Sequence, residues 1–208
     1  MKITLQQVQP ADIEKRSMEI IQQELGRELD PVLAPVIKRV IHTTADFDYA
    51  DTLCFTPGVV EQAREAIRQG ADIVTDTQMA RSGINKTRLA QYGGEVHCFM
   101  SDPDVAKIAR ERGVTRATVC MEKAAQLQKP LIFAIGNAPT ALVKLYELMK
   151  QEALKPCLII GVPVGFVNVV EAKELILSAP VPSIVARGRK GGSNVAAAIC
   201  NALLYGME

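Results

Sequence analysis

Three apolar segments decide the fold: LIFAIG at residues 131–136, CLIIG at 157–161 and SIVARG at 183–188. Each is followed by a glycine-containing loop and then by a longer segment whose apolar residues have helical spacing. The first two segments are apolar at both alternating positions, as expected for strands that are buried on both faces of a sheet. This repeated alternation predicts an α/β fold with a mostly parallel sheet and helices on both faces.

The residues upstream continue the alternation of strands and helices. LCF at residues 53–55, ADIVTD at 71–76 and EVHCFM at 95–100 are predicted strands, and each is followed by an amphipathic segment. These segments place further strands in the same predicted sheet.

The beginning of the chain has a different pattern. Residues 1–50 are mainly helical in pattern, so we predict a helical N-terminal extension within a single α/β domain that spans residues 1–208. After the first strand, Thr56 and Pro57 are typical of a helix N-cap followed by proline in the first turn. We therefore predict that these two residues open the next helix.

Composition excludes several classes of protein. The 208 residues include 24 Lys plus Arg and 23 Asp plus Glu, which gives a net charge of +1. Without a basic excess, we expect neither binding to nucleic acid nor electrostatic attachment to a membrane. The most apolar stretch, residues 157–170, is interrupted by glycine and proline, so no transmembrane helix is expected. The N-terminus is too polar for a secretory signal, and the expected location is the cytoplasm.

No metal or cofactor motif is present in the sequence. The five cysteines are scattered without a CxxC pair, which is typical of core residues in a reducing compartment. Asp46, Asp48 and Asp51 lack the spacing of an EF-hand loop, so we predict no metal site. No loop matches GxxxxGK[ST] or GxGxxG, and no nucleotide cofactor is predicted.

Three loops follow the last three predicted strands and open helices: residues 136–140, 161–168 and 187–194. Helix N-termini present unpaired backbone N–H groups at the positive end of the helix dipole, and ligands of open sheets bind at this edge. The third loop, RGRKGGSN, adds three cations. The loops therefore predict a rim that binds a polyanionic ligand, although glycines at such turns also occur for purely structural reasons. The candidate contacts are Asn137, Pro139, Thr140, Gly165, Arg187, Arg189, Gly191, Gly192 and Ser193.

The two histidines have different settings. His97 lies within a predicted strand, and a structural role is expected for it. His42 falls near the end of a predicted helix with Arg39 on the same face and Thr43 beside it, so it could exchange a proton near neutral pH. The alternative is a histidine that only caps the helix C-terminus.

The polar loop TDTQMARSGINK at residues 75–86 is a further candidate, because it directly follows a predicted strand. A simple helix cap is the alternative for this loop.

Taken in order, IIQQ at residues 20–23 and five longer segments resemble the precorrin-8X methylmutases of cobalamin biosynthesis. The longer segments are KRVIHTTADFDYAD (38–51), VTDTQMARSGINK (74–86), IGNAPTAL (135–142), GVPVGFVNVVEAKE (161–174) and RGRKGGSNVAAAICNALLY (187–205). The resemblance runs from about Lys15 to Tyr205. The segment IHTTADFD is more similar to the cobalt-precorrin-8 enzymes of the anaerobic route than to the enzymes of the aerobic route, whose substrate is metal-free.

The resemblance implies an isomerase that moves a methyl group from C11 to C12 on ring C of a contracted tetrapyrrole, giving cobyrinate or hydrogenobyrinate. It implies that His42 is the acid–base residue, that Ser17, Arg39 and Arg116 contact substrate, and that no cofactor is needed. It also implies a homodimer with the site near the subunit boundary, and hand-over of the corrinoid to neighbouring pathway enzymes.

Two other functions remain as alternatives. A sugar-phosphate isomerase would use RGRKGGSN to hold phosphate, and a non-catalytic corrinoid carrier would bind the pigment without needing His42.

Overall fold

The computed structural model describes residues 7–207, which contain one six-stranded sheet. Its strands are β1 (Leu53–Phe55), β2 (Asp72–Thr75), β3 (Val96–His97), β4 (Leu131–Ile135), β5 (Leu158–Gly161) and β6 (Ser183–Ala186). The strand order is β1-β6-β5-β4-β2-β3. β1 runs antiparallel to β6, and the other neighbouring strands are parallel. The predicted mostly parallel sheet is confirmed.

Eleven α-helices and a short 3₁₀ turn at Pro10–Asp12 surround the sheet within the described residues. The helices are α1 (Ile13–Leu25), α2 (Ala34–Thr44), α3 (Tyr49–Thr52), α4 (Val59–Arg68), α5 (Gln78–Gly83), α6 (Lys86–Ala90), α7 (Pro103–Arg112), α8 (Arg116–Ala124), α9 (Pro139–Lys150), α10 (Val169–Leu177) and α11 (Ser193–Tyr205). None of these helices is long and apolar enough to cross a membrane.

β4 shows why the strand segments are apolar at both alternating positions. Ile132 and Ala134 belong to the hydrophobic core on one face of the sheet. Leu131, Phe133 and Ile135 belong to the core on the other face. All five side chains are at most 3% exposed, because a central strand with helices on both sides has no solvent-facing position.

The two helical layers confirm the prediction of helices on both faces. α2, α4 and α11 cover the first face, where Val40 and Ile41 of α2 pack with Ile199 and Leu203 of α11. The N-terminal helix α2 is thus built into this layer. On the second face, α7 to α10 each contribute to the core, for example through Val105, Val119, Leu142 and Ile176.

The start of α4 corrects one prediction. The helix begins at Val59 after Gly58, which has a positive φ of 69°, so the predicted opening at Thr56 and Pro57 is wrong. The physical reason is that the Thr56 hydroxyl accepts a hydrogen bond of 2.9 Å from the backbone N–H of Ser183. Thr56 therefore ties the end of β1 to β6 and does not cap a helix.

The strand order places a topological switch point between β2 and β4. The chain moves outward from β2 to β3 at the edge and then returns to add β4 on the other side of β2. The loops that leave β2 and β4 consequently diverge at the carboxyl edge, where open α/β sheets bind ligands. The loops after β5 and β6 lie along the same edge, because these strands are parallel to β4.

Candidate active site

A cleft of about 260 Å³ lies on the first face, along the outer side of α11. Its lining includes three residues singled out from the sequence, which are Arg39, His42 and Thr43 of α2. The remaining lining residues are Gly83, Asn194, Ala197, Ala198, Asn201 and Tyr205. The cleft therefore brings the candidate histidine together with polar groups from α11.

The cleft exists because small, buried residues form the side of α11 that faces it. Ala197 and Ala198 leave room between α2 and α5, and Gly83 at the end of α5 allows a close approach. A Cβ atom on Gly83 would lie 2.9 Å from the Cβ of Ala197, so a larger residue would force the two helices apart. Glycine at this position keeps α5 against the floor of the cleft.

His42 is exposed in the last turn of α2, and its ring forms no hydrogen bond to another residue in the range 7–207. The end of the helix is capped by other groups. The N–H of Ala45 donates to the carbonyl of Ile41 at 2.7 Å, and the Thr44 hydroxyl donates to the carbonyl of Val40 at 2.8 Å. The capping role considered for His42 is thus already filled.

Arg39 lies one turn before His42 and is held from two sides. Its guanidinium forms an ion pair of 2.5 Å with Glu14 of α1 and lies 5.1 Å from the centre of the Tyr205 ring. The hydrogen bond from Arg39 holds the pKa of the Glu14 carboxyl below its ordinary value of 4.5, and the charge of His42 acts in the same direction. A carboxylate therefore lies close to the Arg39 guanidinium and to the His42 ring.

The other two predicted helix residues lie outside this cleft. Ser17 is half-buried on α1, where its hydroxyl donates to the carbonyl of Ile13 at 2.9 Å. Arg116 is exposed at the start of α8 on the second face and donates to the carbonyl of Met100 at 3.4 Å. The Thr115 and Thr140 hydroxyls, 2.8 Å apart, hold the start of α8 beside the start of α9, so Arg116 reaches the same carboxyl edge.

The loop after β4 contains an internal anion. The Asp76 carboxylate, which is fully buried at the end of β2, accepts hydrogen bonds from the N–H groups of Gly136, Asn137 and Ala138 at 2.9, 2.8 and 2.6 Å. Burial raises the pKa of this carboxyl, and the three N–H donors oppose that effect. The expectation of unpaired N–H groups is wrong for these three residues, because Asp76 fills the switch point. The side chains of Asn137 and Thr140 are exposed, and Pro139 is half-buried.

The loops after β5 and β6 pack directly against each other. Gly165 donates its N–H to the carbonyl of Arg189 at 3.2 Å, and Gly192 donates to the carbonyl of Val162 at 2.9 Å. A Cβ atom on Gly191 would lie 2.1 Å from the Val162 oxygen, so glycine is required there.

The start of α11 is anchored to the loop after β2. The Ser193 hydroxyl lies 2.7 Å from that of Thr77, which binds the first turn of α11 to the start of α5. Residues 193–195 form the first turn of the helix, and their N–H groups have no partner within it. The prediction of unpaired N–H groups therefore stands for this helix N-terminus.

Two of the three cations in RGRKGGSN are already neutralised. Arg187 pairs with Glu174 at 3.0 Å, and Lys190 lies 2.6 Å from both Asp46 and Asp48. Arg189 has no carboxylate partner among residues 7–207, and its guanidinium lies 5.5 Å from the centre of the Phe166 ring. Arg189 is therefore the cation of this loop that remains available to an acidic ligand.

His97 has the structural setting that was expected for it. Its Nε2 lies 2.9 Å from the Asp72 carboxylate, whose other oxygen is 2.9 Å from the Lys129 ammonium. β3 is shorter than the predicted strand EVHCFM and contains Val96 and His97 alone. This ion-paired cluster lies at the start of β2, away from the cleft of His42.

The sequence interpretation missed several residues that the cleft contains. Asn194, Asn201 and Tyr205 line it; Asn194 ended the candidate loop 187–194 but was not among the candidate contacts. Their spacing of seven and four residues along α11 was a detectable signal of one helix face. Gly83 within TDTQMARSGINK was part of a candidate loop, but its role depends on packing against α11.

A larger cleft of about 580 Å³ lies at the opposite edge of the sheet, between the ends of α9 and α10. None of the residues predicted for the site lines it. No group of three or more His, Cys, Asp or Glu side chains in the described part of the chain is arranged to hold a metal ion.

Comparison with known proteins identifies the family. Residues 12–206 match the family model described as precorrin-8X methylmutase. The cobalt-precorrin-8 methylmutase of Salmonella typhimurium is 47% identical over 204 residues, which is 95% of each chain. That of Priestia megaterium is 44% identical and covers 94% of this chain and 88% of its own. The solved structure of the precorrin-8X methyl mutase from Thermus thermophilus superposes with a TM-score of 0.84 at 42% identity, covering 93% of this chain and 96% of that one. The chain therefore belongs to the precorrin-8X methylmutase family, the isomerases of cobalamin biosynthesis, as the sequence motifs predicted.

Proposed function

We propose that His42 is the acid–base residue that moves a methyl group from C11 to C12 of a precorrin-8-type macrocycle. One observation carries this proposal: an exposed imidazole that forms no hydrogen bond within residues 7–207 lines a cleft beside Arg39 and Thr43. Histidine changes protonation near neutral pH, so such a side chain can both give and recover a proton.

The reaction then proceeds without a net change in composition. The His42 imidazolium protonates the conjugated system of ring C and makes it electron-poor. The methyl group leaves C11 with its bonding electron pair and bonds to C12 in a suprafacial 1,5 shift. Loss of one proton to the imidazole restores the conjugation and the starting state of His42. General acid–base catalysis of this kind contributes about 10²–10⁴-fold.

The substrate is bound through its acetate and propionate carboxylates. Arg189 is suited to one of them because it lacks a carboxylate partner among the described residues and projects from an exposed loop. The N–H groups of residues 193–195 offer a second anchor at the start of α11. We assign further contacts to Arg39 and Thr43 in the cleft, to Ser17 on α1 and to Arg116 at the carboxyl edge.

A homodimer completes the site in this proposal. The cleft of about 260 Å³ is below the range of about 300–1,000 Å³ typical of small-molecule pockets, and a tetrapyrrole is larger than most such ligands. Phe166 is 81% exposed and Val167 78% exposed on the loop after β5, which supports burial of this apolar loop by a second subunit. The variant Val167→Asp is expected to shift sedimentation velocity from dimer to monomer, whereas a wild-type monomer at micromolar concentration would oppose the proposal.

The proposed substrate carries cobalt. The named activity of the relatives from Salmonella typhimurium and Priestia megaterium supports this choice, and the metal-free macrocycle is the alternative. Since moving one methyl group barely changes the carboxylate contacts, the product is also expected to bind tightly and to pass to the next enzyme of the pathway.

The test is conversion of cobalt-precorrin-8 and, in parallel, of metal-free precorrin-8X by the purified protein under anaerobic conditions. A product of identical mass with altered absorption supports isomerisation and shows which macrocycle is used. Binding without conversion would favour a corrinoid carrier. Binding of a sugar phosphate but of neither corrinoid would favour a sugar-phosphate isomerase.

A further inference from the structure

Lys173 of α10 is a fully buried lysine with 0% exposure. Its ammonium donates hydrogen bonds of 2.8 Å to the backbone carbonyls of Gly188 and Lys190. No carboxylate among residues 7–207 pairs with it, and burial lowers its pKa to about 8. Burying a charge without a counter-ion costs free energy. The hydrogen bonds to the two backbone carbonyls are the contacts that offset this cost at Lys173.

Those carbonyls belong to the loop between β6 and α11. The carbonyl between them, that of Arg189, accepts the N–H of Gly165 at 3.2 Å. Three consecutive carbonyls, at residues 188 to 190, are therefore held against the protein. Gly188 has a φ of +79°, which permits this turn of the backbone. With its backbone held in this way, Arg189 projects its side chain over Phe166.

The same loop is connected to the helix that carries His42. The Lys190 side chain lies 2.6 Å from Asp46 and from Asp48, which follow His42 by four and six positions in the sequence. Buried Lys173, the loop and the segment between α2 and α3 thus form one continuous set of contacts.

We propose that Lys173 is a positioning residue, which acts through the backbone of residues 188–190 to hold Arg189 in the conformation that binds a substrate carboxylate. Lys173 itself touches no substrate, since its ammonium is enclosed by the loop it supports. The substrate part of this inference rests on the proposed function, whereas its structural part concerns the loop alone.

The first test needs no substrate. Hydrogen–deuterium exchange is measured on the whole protein, comparing wild type with Lys173→Met, which keeps an unbranched apolar stem and removes the ammonium. We expect exchange in the peptide covering residues 187–192 to accelerate at least tenfold, with α2 and the sheet unchanged. Lys150→Met is the matched control, because this lysine lies over the Tyr146 ring at 5.5 Å and borders the cleft at the other edge. Native exchange in the loop of Lys173→Met would overturn the proposal.

The second test measures how Lys173 acts on binding. Absorbance titration with cobyrinate gives the Kd, and single-turnover kinetics at saturating cobalt-precorrin-8 give the chemical rate. We expect Lys173→Met to raise Kd about tenfold and to change the saturated rate less than threefold. In an Arg189→Ala background the same substitution is expected to change Kd less than twofold. A tenfold effect that persists without Arg189 would show general destabilisation and would overturn the positioning role.

Gly188→Ala gives an independent test if Lys173→Met fails to fold. An added Cβ at Gly188 meets no atom within 4 Å, but the φ of +79° strains any other residue. The variant therefore disturbs the loop from the surface and should show the same faster exchange and the same dependence on Arg189. Native values in both measurements would overturn the proposal. If wild type neither binds nor converts a corrinoid, the proposed function fails, and the exchange experiment still decides whether Lys173 holds the loop.

Discussion

The Asp76 carboxylate at the end of β2 accepts a hydrogen bond of 2.9 Å from the backbone N–H of Gly136 at the end of β4. Two further N–H groups, those of Asn137 and Ala138, donate to the same carboxylate. A side chain of the protein therefore occupies the topological switch point of the sheet. The candidate site lies beside this point, along α11.

Asp76→Asn tests the structural weight of this contact. The amide keeps the size of the side chain, but its NH₂ group faces N–H donors that then lack an acceptor. We expect a loss of about 2–4 kcal/mol in the free energy of unfolding, measured by urea denaturation. Asp51→Asn is a control at an exposed carboxylate that pairs with Arg27, and it should leave the midpoint nearly unchanged. An equally small effect at Asp76 would contradict the role assigned to it.

Arg187 and Arg189 provide a matched pair for substrate binding. Arg187 already pairs with Glu174, whereas Arg189 has no carboxylate partner among the described residues. We expect Arg189→Ala to raise the Kd for cobyrinate about tenfold, which corresponds to about 1.4 kcal/mol, and Arg187→Ala to raise it less than threefold. The difference should shrink at high salt because exposed charges are screened. Equal effects of the two substitutions would argue against the assignment.

The Asp72 cluster predicts how stability depends on pH. Burial opposes ionisation of Asp72, but hydrogen bonds from Lys129, His97 and the N–H of Glu95 outweigh it and hold the pKa of the carboxyl below its ordinary value of 3.8. A carboxyl whose pKa is lower in the folded state adds stability above pH 3.8, and this is lost as the pH falls through the folded-state pKa.

We therefore expect wild type to lose the contribution of Asp72 as the pH falls below 3.8 towards the lowered folded-state pKa, with a weaker pH dependence over this range in Asp72→Asn. At neutral pH this variant should be less stable by about 1–3 kcal/mol. Urea unfolding at a series of pH values measures both quantities. An unchanged acid profile in Asp72→Asn would show that Asp72 does not contribute to it.

The sheet could be predicted from sequence because its central strands are apolar at every position. The apolar side chains of residues 131–135 are all removed from water only if both faces of the strand are buried. The observed strand is buried at every position. The direction of β1 could not be predicted, since the three residues LCF do not indicate which neighbour they pair with. The antiparallel pairing of β1 depends on β6, which lies far along the chain.

The charges of the site were less predictable than its position. The cations of RGRKGGSN were recognisable, but their partners are distant in sequence: Lys190 binds Asp46 across 144 positions. The N–H groups of the loop after β4 likewise donate to the carboxylate of Asp76, which lies 60 positions before Gly136 in the sequence. Sequence spacing reports local geometry alone, so it could not show which polar groups were already paired. His42 was predictable as a candidate, but the cap formed by Thr44 and Ala45 became visible only in the folded chain.

The most direct test of the account is the single-turnover rate of His42→Ala together with its Kd for cobyrinate, with His97→Ala as the control. We predict that His42→Ala loses about 10²–10⁴-fold in the rate of methyl migration while its Kd stays within threefold of the native value. His97→Ala should be less stable but keep its rate within twofold. A native single-turnover rate in His42→Ala would contradict the account.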